Sequence, residues 1–176
     1  IRLPEAFYTD EEGNPSREIY KVNLAIVEAA MTVQPAIDPA ALEREVEPLN
    51  EQLAGLDLDG DNLLETGVTR IVGLPVRYVG AARGVDVSRF LYPEGTEFLH
   101  TVRYVDPDSP TLLSRRMKEV RYSRKYRFLE DDAVLVAYLG EEREKDLGNT
   151  PVFGGDGLTG LTNGFGWRLQ GFIEDA

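Results

Sequence analysis

The chain of 176 residues is long enough to bury a core without cross-links, and its 42% hydrophobic content fits a folded globular protein. Zero cysteines exclude disulfides, thiolate metal sites, cysteine nucleophiles and covalent haem attachment within these residues. The net charge of −12 is concentrated in residues 1–65, with 15 acidic against 4 basic side chains, which argues against nucleic acid or an anionic membrane as a partner of that part.

No apolar run reaches the length of a membrane span; the longest, Leu24 to Val33, is broken by Glu28 and Thr32. Ile1 is not a translation start, so the sequence reads as a processed or trimmed piece from which an export signal would already have gone.

Residues 1–16 are rich in acids, glycine and proline and read as an extended arm ending at Gly13-Asn14-Pro15-Ser16. From Arg17 to Gln34 the apolar positions Ile19, Val22, Ile26 and Val33 predict a helix, with Ser16 as its cap, although Tyr20, Val22, Leu24 and Ile26 also alternate. Asp38-Pro39 has the form of a second helix start, followed by the stripe Leu42, Val46, Leu49 and Leu53, with Pro48 as a kink and Gly55 at the end.

The acidic stretch Leu56-Asp57-Leu58-Asp59-Gly60-Asp61-Asn62-Leu63-Leu64-Glu65 follows. Hard oxygen donors on alternate residues, with a glycine and an asparagine that tolerate positive φ, are what a compact calcium loop requires. A helix running into such a loop resembles the entry half of an EF-hand or a dockerin repeat. That resemblance assigns as ligands Asp57, Asp59, Asp61, the Leu63 carbonyl and Glu65. It departs from the pattern at Val68, where the bidentate Glu is missing, and at Thr66 to Val72, which reads as a strand and not as an exit helix. These departures favour a rigid structural site over a switch.

Thr69–Val72 and Val76–Val79 read as two short strands around Gly73-Leu74-Pro75, and Arg83 to Tyr92 as helical or irregular. Phe98 to Val105 reads as a strand ending at a turn, Asp106 to Pro110. Thr111 to Phe128 is expected to be helical first and extended at its end, and it holds seven of the 19 basic residues. Arg115, Arg116, Lys118, Arg121, Arg124 and Lys125 are candidates to meet an acidic protein partner, and an internal salt-bridge layer is the simpler reading. Glu130-Asp131-Asp132 would cap Ala133 to Tyr138, with Glu141 to Asp146 a solvated charged stretch. Eight of the 17 glycines lie between Gly148 and Gly171, which predicts an irregular wrap anchored by Phe165, Trp167 and Phe172. Gly155, Gly157 and Gly160 match the dinucleotide pattern in letters only, since no strand-turn-helix surrounds them.

His100 is the single histidine, and no nucleophile motif accompanies it. Its functional reading is as a metal or haem-iron ligand shared with another chain; its plain reading is a histidine making one hydrogen bond on a strand.

Leu49–Asn62, Tyr92–Val105, Arg115–Tyr122 and Asn163–Ala176 resemble parts of exported bacterial proteins of uncharacterised function. In those proteins the tail continues into a Cys-x-x-Cys-His haem-attachment motif, which this chain does not contain. The resemblance implies a periplasmic or extracellular protein and a place in a haem or redox assembly.

The sequence thus predicts an α+β fold: a 1–16 arm and one domain over 17–176, divided into a helical part 17–65, a mixed part 66–147 with a small mixed or antiparallel sheet, and a Gly-rich wrap 148–176. The function expected is a calcium-stabilised, non-catalytic accessory domain. A carboxylate-dependent hydrolase and a haem electron carrier ligated through His100 are the alternatives.

Overall fold

The computed structural model describes residues 1–33, 42–150 and 152–174. The fold is α+β, with two separate antiparallel sheets, and the chain divides into two compact units, Leu3–Pro93 and Ile1–Arg2 with Glu94–Ala176. Each is described by itself.

In the Leu3–Pro93 unit, a 3-10 turn over Glu5–Tyr8 precedes α1, Arg17–Met31. The Ser16 hydroxyl accepts from the Ile19 N–H at 3.3 Å, which satisfies one of the donors left over at the helix start. Ile19, Val22, Ile26 and Ala30 recur on one face of α1 and are buried, so helical spacing prevails over the competing alternation. Asn23 shares that face. Its side-chain amide donates to the Phe7 carbonyl at 2.9 Å and the Val79 carbonyl at 3.1 Å, while its oxygen accepts from the Val79 N–H at 2.9 Å. One side chain thereby pins the 3-10 turn and a later loop to the helix.

The helix expected through Leu42 to Leu53 is corrected to a strand and a single helical turn; its expected start, Asp38-Pro39, lies outside the described residues. The strand β1, Glu43–Asn50, pairs antiparallel with β2, Thr66–Val72. The stripe Leu42, Val46, Leu49 fits a helix, but Glu43, Glu45 and Glu47 alternate at period two and fall on the exposed side. Pro48, read as a helix kink, lies where the register slips between Glu45 and Leu49, the kind of place where a strand tolerates a missing N–H. A second slip, between Leu49 and Asn50, is taken up on the partner strand by Gly67 at φ 84°. The helical turn α2, Glu51–Ala54, is capped by Asn50, whose side chain accepts from the Leu53 N–H at 3.0 Å, and ends at Gly55.

Leu3, Phe7, Ile26, Leu42, Leu58, Ile71 and Tyr78 meet in the core of this unit. Val76–Val79 is corrected from a strand to an irregular segment with an isolated bridge between Arg77 and Asp86. It leads into a 3-10 turn at Gly80–Ala82. At Gly80, φ is 66°, and a Cβ there would overlap the Thr9 carbonyl oxygen and stand 2.8 Å from Ile19 Cγ2. Gly80→Ala is therefore expected to cost about 2–4 kcal/mol, combining left-handed strain with overpacking, read as a lowered urea midpoint at unchanged slope.

In the other unit, β3, Glu97–Val105, and β4, Leu113–Lys125, form a long hairpin. The expected turn at Asp106 to Pro110 is present, with the Ser109 N–H donating to the Asp106 carbonyl at 3.2 Å. The helix expected over Thr111 onward is corrected to a strand. Arg, Lys and Glu favour helix weakly, and pairing on both edges of β4 outweighs that preference.

The helix α3, Asp131–Asp146, fuses the two stretches read separately, and it carries acids in its first turn and Arg143 and Lys145 in its last, matching the helix dipole. The Gly-rich wrap is corrected to three strands: β5, Gly154–Asp156; β6, Gly160–Thr162; and β7, Trp167–Ile173. They complete a sheet of order β3-β4-β7-β6-β5. Gly155 and Gly160 thus belong to a β-hairpin, in accord with setting aside the dinucleotide reading. Trp167 packs on Phe98 at 5.6 Å and Phe165 on Tyr138 at 4.9 Å, but Phe172 is 60% exposed and anchors nothing.

Candidate metal centre

The loop 56–65 joins α2 to β2, and its geometry is set by a residue that precedes it. Glu51, the first residue of α2, is fully buried. Its Oε1 accepts from the Leu58 N–H at 2.6 Å and the Asp59 N–H at 3.3 Å, and its Oε2 from the Glu65 N–H at 3.1 Å. The Glu51 N–H in turn donates to the Glu65 carbonyl at 2.9 Å. A buried carboxylate is tolerated only where its lone pairs are met, and here the loop backbone meets them. Leu58, buried to 1%, plugs the loop into the core at the same point.

Around this peg the aspartates fold the loop on itself. Asp57 accepts from the Gly60 N–H at 2.7 Å and the Asn62 N–H at 2.8 Å, and Asp61 from the Leu63 N–H at 2.7 Å. Asn62 has φ 66°, the left-handed conformation expected of it from the sequence. Asp59 differs from these two. Its Oδ1 is buried with no hydrogen-bond partner, and its Oδ2 faces Arg70 Nε at 3.9 Å.

Glu51, Asp57 and Asp59 each direct a carboxylate oxygen to within 4.8 Å of the others. This set differs from the one read along the chain. Asp57 and Asp59 are in it; the Asp61 and Glu65 carboxylates are not, among the described residues, and Glu51 was not foreseen. The available signal for Glu51 was its place as the first residue of a short helix capped by Asn50, just ahead of the acidic loop. The donor set is all oxygen, at a mutual spacing that suits cations binding oxygen at about 2.3–2.6 Å, and it lacks the nitrogen and sulfur ligands favoured by zinc. Glu51 Oε1 already accepts two N–H groups, whereas Glu51 Oε2 and each Asp57 oxygen accept one and keep a second lone pair for a cation.

The remaining candidates are dispersed. His100 lies exposed on β3, opposite Arg121 in register. Arg121 forms a two-bonded pair with Glu119 at 2.7 and 3.0 Å, and Arg116 pairs with Glu174 at 2.6 Å; each arginine's pKa is raised by its partner. Arg121 and Arg124 project from opposite faces of β4, so the basic run makes no single stripe. Lys125 is corrected from a surface contact to a buried residue: 1% exposed, its ammonium donates to the Phe165 carbonyl at 2.6 Å and lies 5.6 Å from the centre of the Trp167 ring. Burial pushes its pKa down.

Asp10, Glu119 and Asp156 are held below the usual carboxylate range, chiefly by the Asn14 N–H, the Arg121 guanidinium and the Thr159 N–H respectively.

No described helix is long and apolar enough to cross a membrane. The comparisons agree on the class, a family of lipoproteins. Residues 1–176 match in full a family model described as "-like lipoprotein", and the chain belongs to that family. It is 33% identical over 176 residues to an "Uncharacterized lipoprotein" of Aquifex aeolicus (strain VF5), an alignment covering 99% of this chain and 25% of the relative. The chain thus spans about a quarter of the length of the curated relative it matches. No solved structure matches. The match supports the exported bacterial family read from the sequence and is silent on calcium and haem.

Proposed function

We propose that the chain is a non-catalytic accessory domain of a lipid-anchored, exported protein, held in shape by a calcium ion at Glu51, Asp57 and Asp59. The observation that carries this reading is the convergence of three carboxylates within 4.8 Å, one with a buried oxygen lacking any hydrogen bond, opposed nearby by Arg70 alone among the charge pairs of these three side chains. Like charges this close repel, and a hard divalent cation supplies both the missing charge and the missing ligand contact. The ion would tie the start of α2 to the loop entering β2, stiffening the junction and leaving no bistable element to switch.

A thermal melt tests this. Chelator-treated protein is expected to melt lower, and calcium at about a hundred times its dissociation constant to return about 2.7 kcal/mol, or roughly 5–10 °C for a chain of this size. Magnesium, which holds its water and demands octahedral geometry, is expected to restore little. A melting temperature indifferent to chelator and calcium would sink the reading.

A further inference from the structure

One face of the five-stranded sheet carries a cluster of exposed apolar side chains. Residues opposite one another in antiparallel strands share a face, so Leu99 lies beside Tyr122, Val105 beside Leu113, Arg103 beside Met117 and Val120 beside Phe172. Leu99, Val105, Leu113 and Phe172 are 59–75% exposed. A sheet face turned to water ordinarily carries polar side chains at these alternating positions. Contiguous apolar surface of this kind marks a contact with something else.

The charge on the same face indicates what that contact is. Arg124 and Arg168 are directly opposed in register, and Arg103 lies on the same side further along β3. On β3, β4 and β7, Glu97 is the one acid of this face, and Arg2, Arg124 and the Tyr122 hydroxyl already surround its carboxylate. Asp156 stands apart, on the β5 edge. In a chain with 31 acidic and 19 basic residues, an apolar field studded with arginines is the local reverse of the whole. A second copy docked face to face would set these arginines against their own kind.

We propose that this face rests on an anionic phospholipid surface, with Leu99, Val105, Leu113 and Phe172 entering the headgroup region and Arg103, Arg124 and Arg168 meeting lipid phosphates. The proposal rests on the exported-lipoprotein reading and is independent of the calcium site. An anchor that keeps the domain at a bilayer raises its effective concentration there, so a weak second contact suffices to fix its orientation. Arginines near an anionic surface each contribute about fivefold in affinity, and the contact weakens with salt as the Debye length shrinks.

Co-sedimentation of the intact chain with phosphatidylcholine vesicles, with and without phosphatidylglycerol, tests this at low salt and with chelator present, so that the outcome does not depend on calcium. Binding is expected only with phosphatidylglycerol, and is expected to fall as salt rises. Arg124→Ala with Arg168→Ala is expected to lose about 25-fold in affinity, and Leu99→Ser with Phe172→Ser to abolish sedimentation, while both variants melt with the parent because the replaced side chains are exposed. Three results would overturn the proposal: no sedimentation with the anionic vesicles, variants that bind as the parent does, or dimerisation in light scattering that the Leu99 and Phe172 substitutions abolish.

Discussion

Glu51→Gln is expected to destabilise the chain by about 2–4 kcal/mol, although it changes one atom. The carboxylate accepts three backbone N–H groups with two oxygens, at 2.6, 3.3 and 3.1 Å. Glutamine offers a single acceptor and turns an NH2 group toward whichever donors it no longer serves. Hydrogen bonds to a charged group are each worth roughly 1.5–3 kcal/mol, and a buried N–H left without a partner costs about 1–3 kcal/mol. Chemical denaturation should show a lower midpoint, and amide exchange should show Leu58 and Glu65 opening sooner than the β2 amides beyond them. Glu51→Gln as stable as the parent would mean that the loop does not hang on this side chain.

Asn23→Leu is expected to be comparably damaging, at about 3 kcal/mol, despite adding apolar surface to an apolar helix face. Three hydrogen bonds to Phe7 and Val79 are lost together, and the backbone groups left behind are buried with the rest of this core. Asn23→Asp separates hydrogen bonding from shape. Aspartate still accepts from the Val79 N–H but presents a charge to two carbonyl oxygens, so it should be at least as destabilising as leucine at neutral pH and should recover as the pH falls far enough to protonate it. Equal stability of the parent and both variants, in urea titrations, would contradict the role given to the amide.

These two residues mark where the sequence could and could not be read. The α1 helix was legible because its apolar spacing and its Ser16 cap agree, whereas the role of Asn23 was not, since its partners are 16 and 56 residues away. The strands β2 and β3 were legible from alternation. The β1 strand was not, since Leu42, Val46 and Leu49 satisfy a helix as well as a strand, and the deciding feature, the bulge at Pro48, exists only in the pairing with β2. The β4 and β7 strands failed for the same reason: each is specified by its neighbours more than by its own residues, and β7 reads as loose glycine-rich chain until Gln170 is set against Tyr122. The site was half visible. Spacing pointed to Asp57 and Asp59, while Glu51 is drawn in by a cap and a turn that no ligand pattern describes.

The exposed face of the second sheet carries a similar lesson about charge. Read along the chain, the basic run suggested a partner contact or, more simply, an internal salt-bridge layer; the pleat of β4 divides it, burying Lys125, pairing Arg116 and Arg121 with Glu174 and Glu119, and leaving Arg124 on the apolar side.

A calcium titration by calorimetry, of the parent beside Asp59→Asn, decides whether the three carboxylates form a cation site. Asparagine can keep the side-chain shape and fill the unpartnered position with a neutral oxygen, but it removes one of the three charges that would attract the ion. One calcium per chain is expected in the parent, bound at least tenfold more weakly by Asp59→Asn, with the variant less sensitive to chelator in its melting temperature. Absence of binding heat in the parent, or an isotherm unchanged by the substitution, would contradict it.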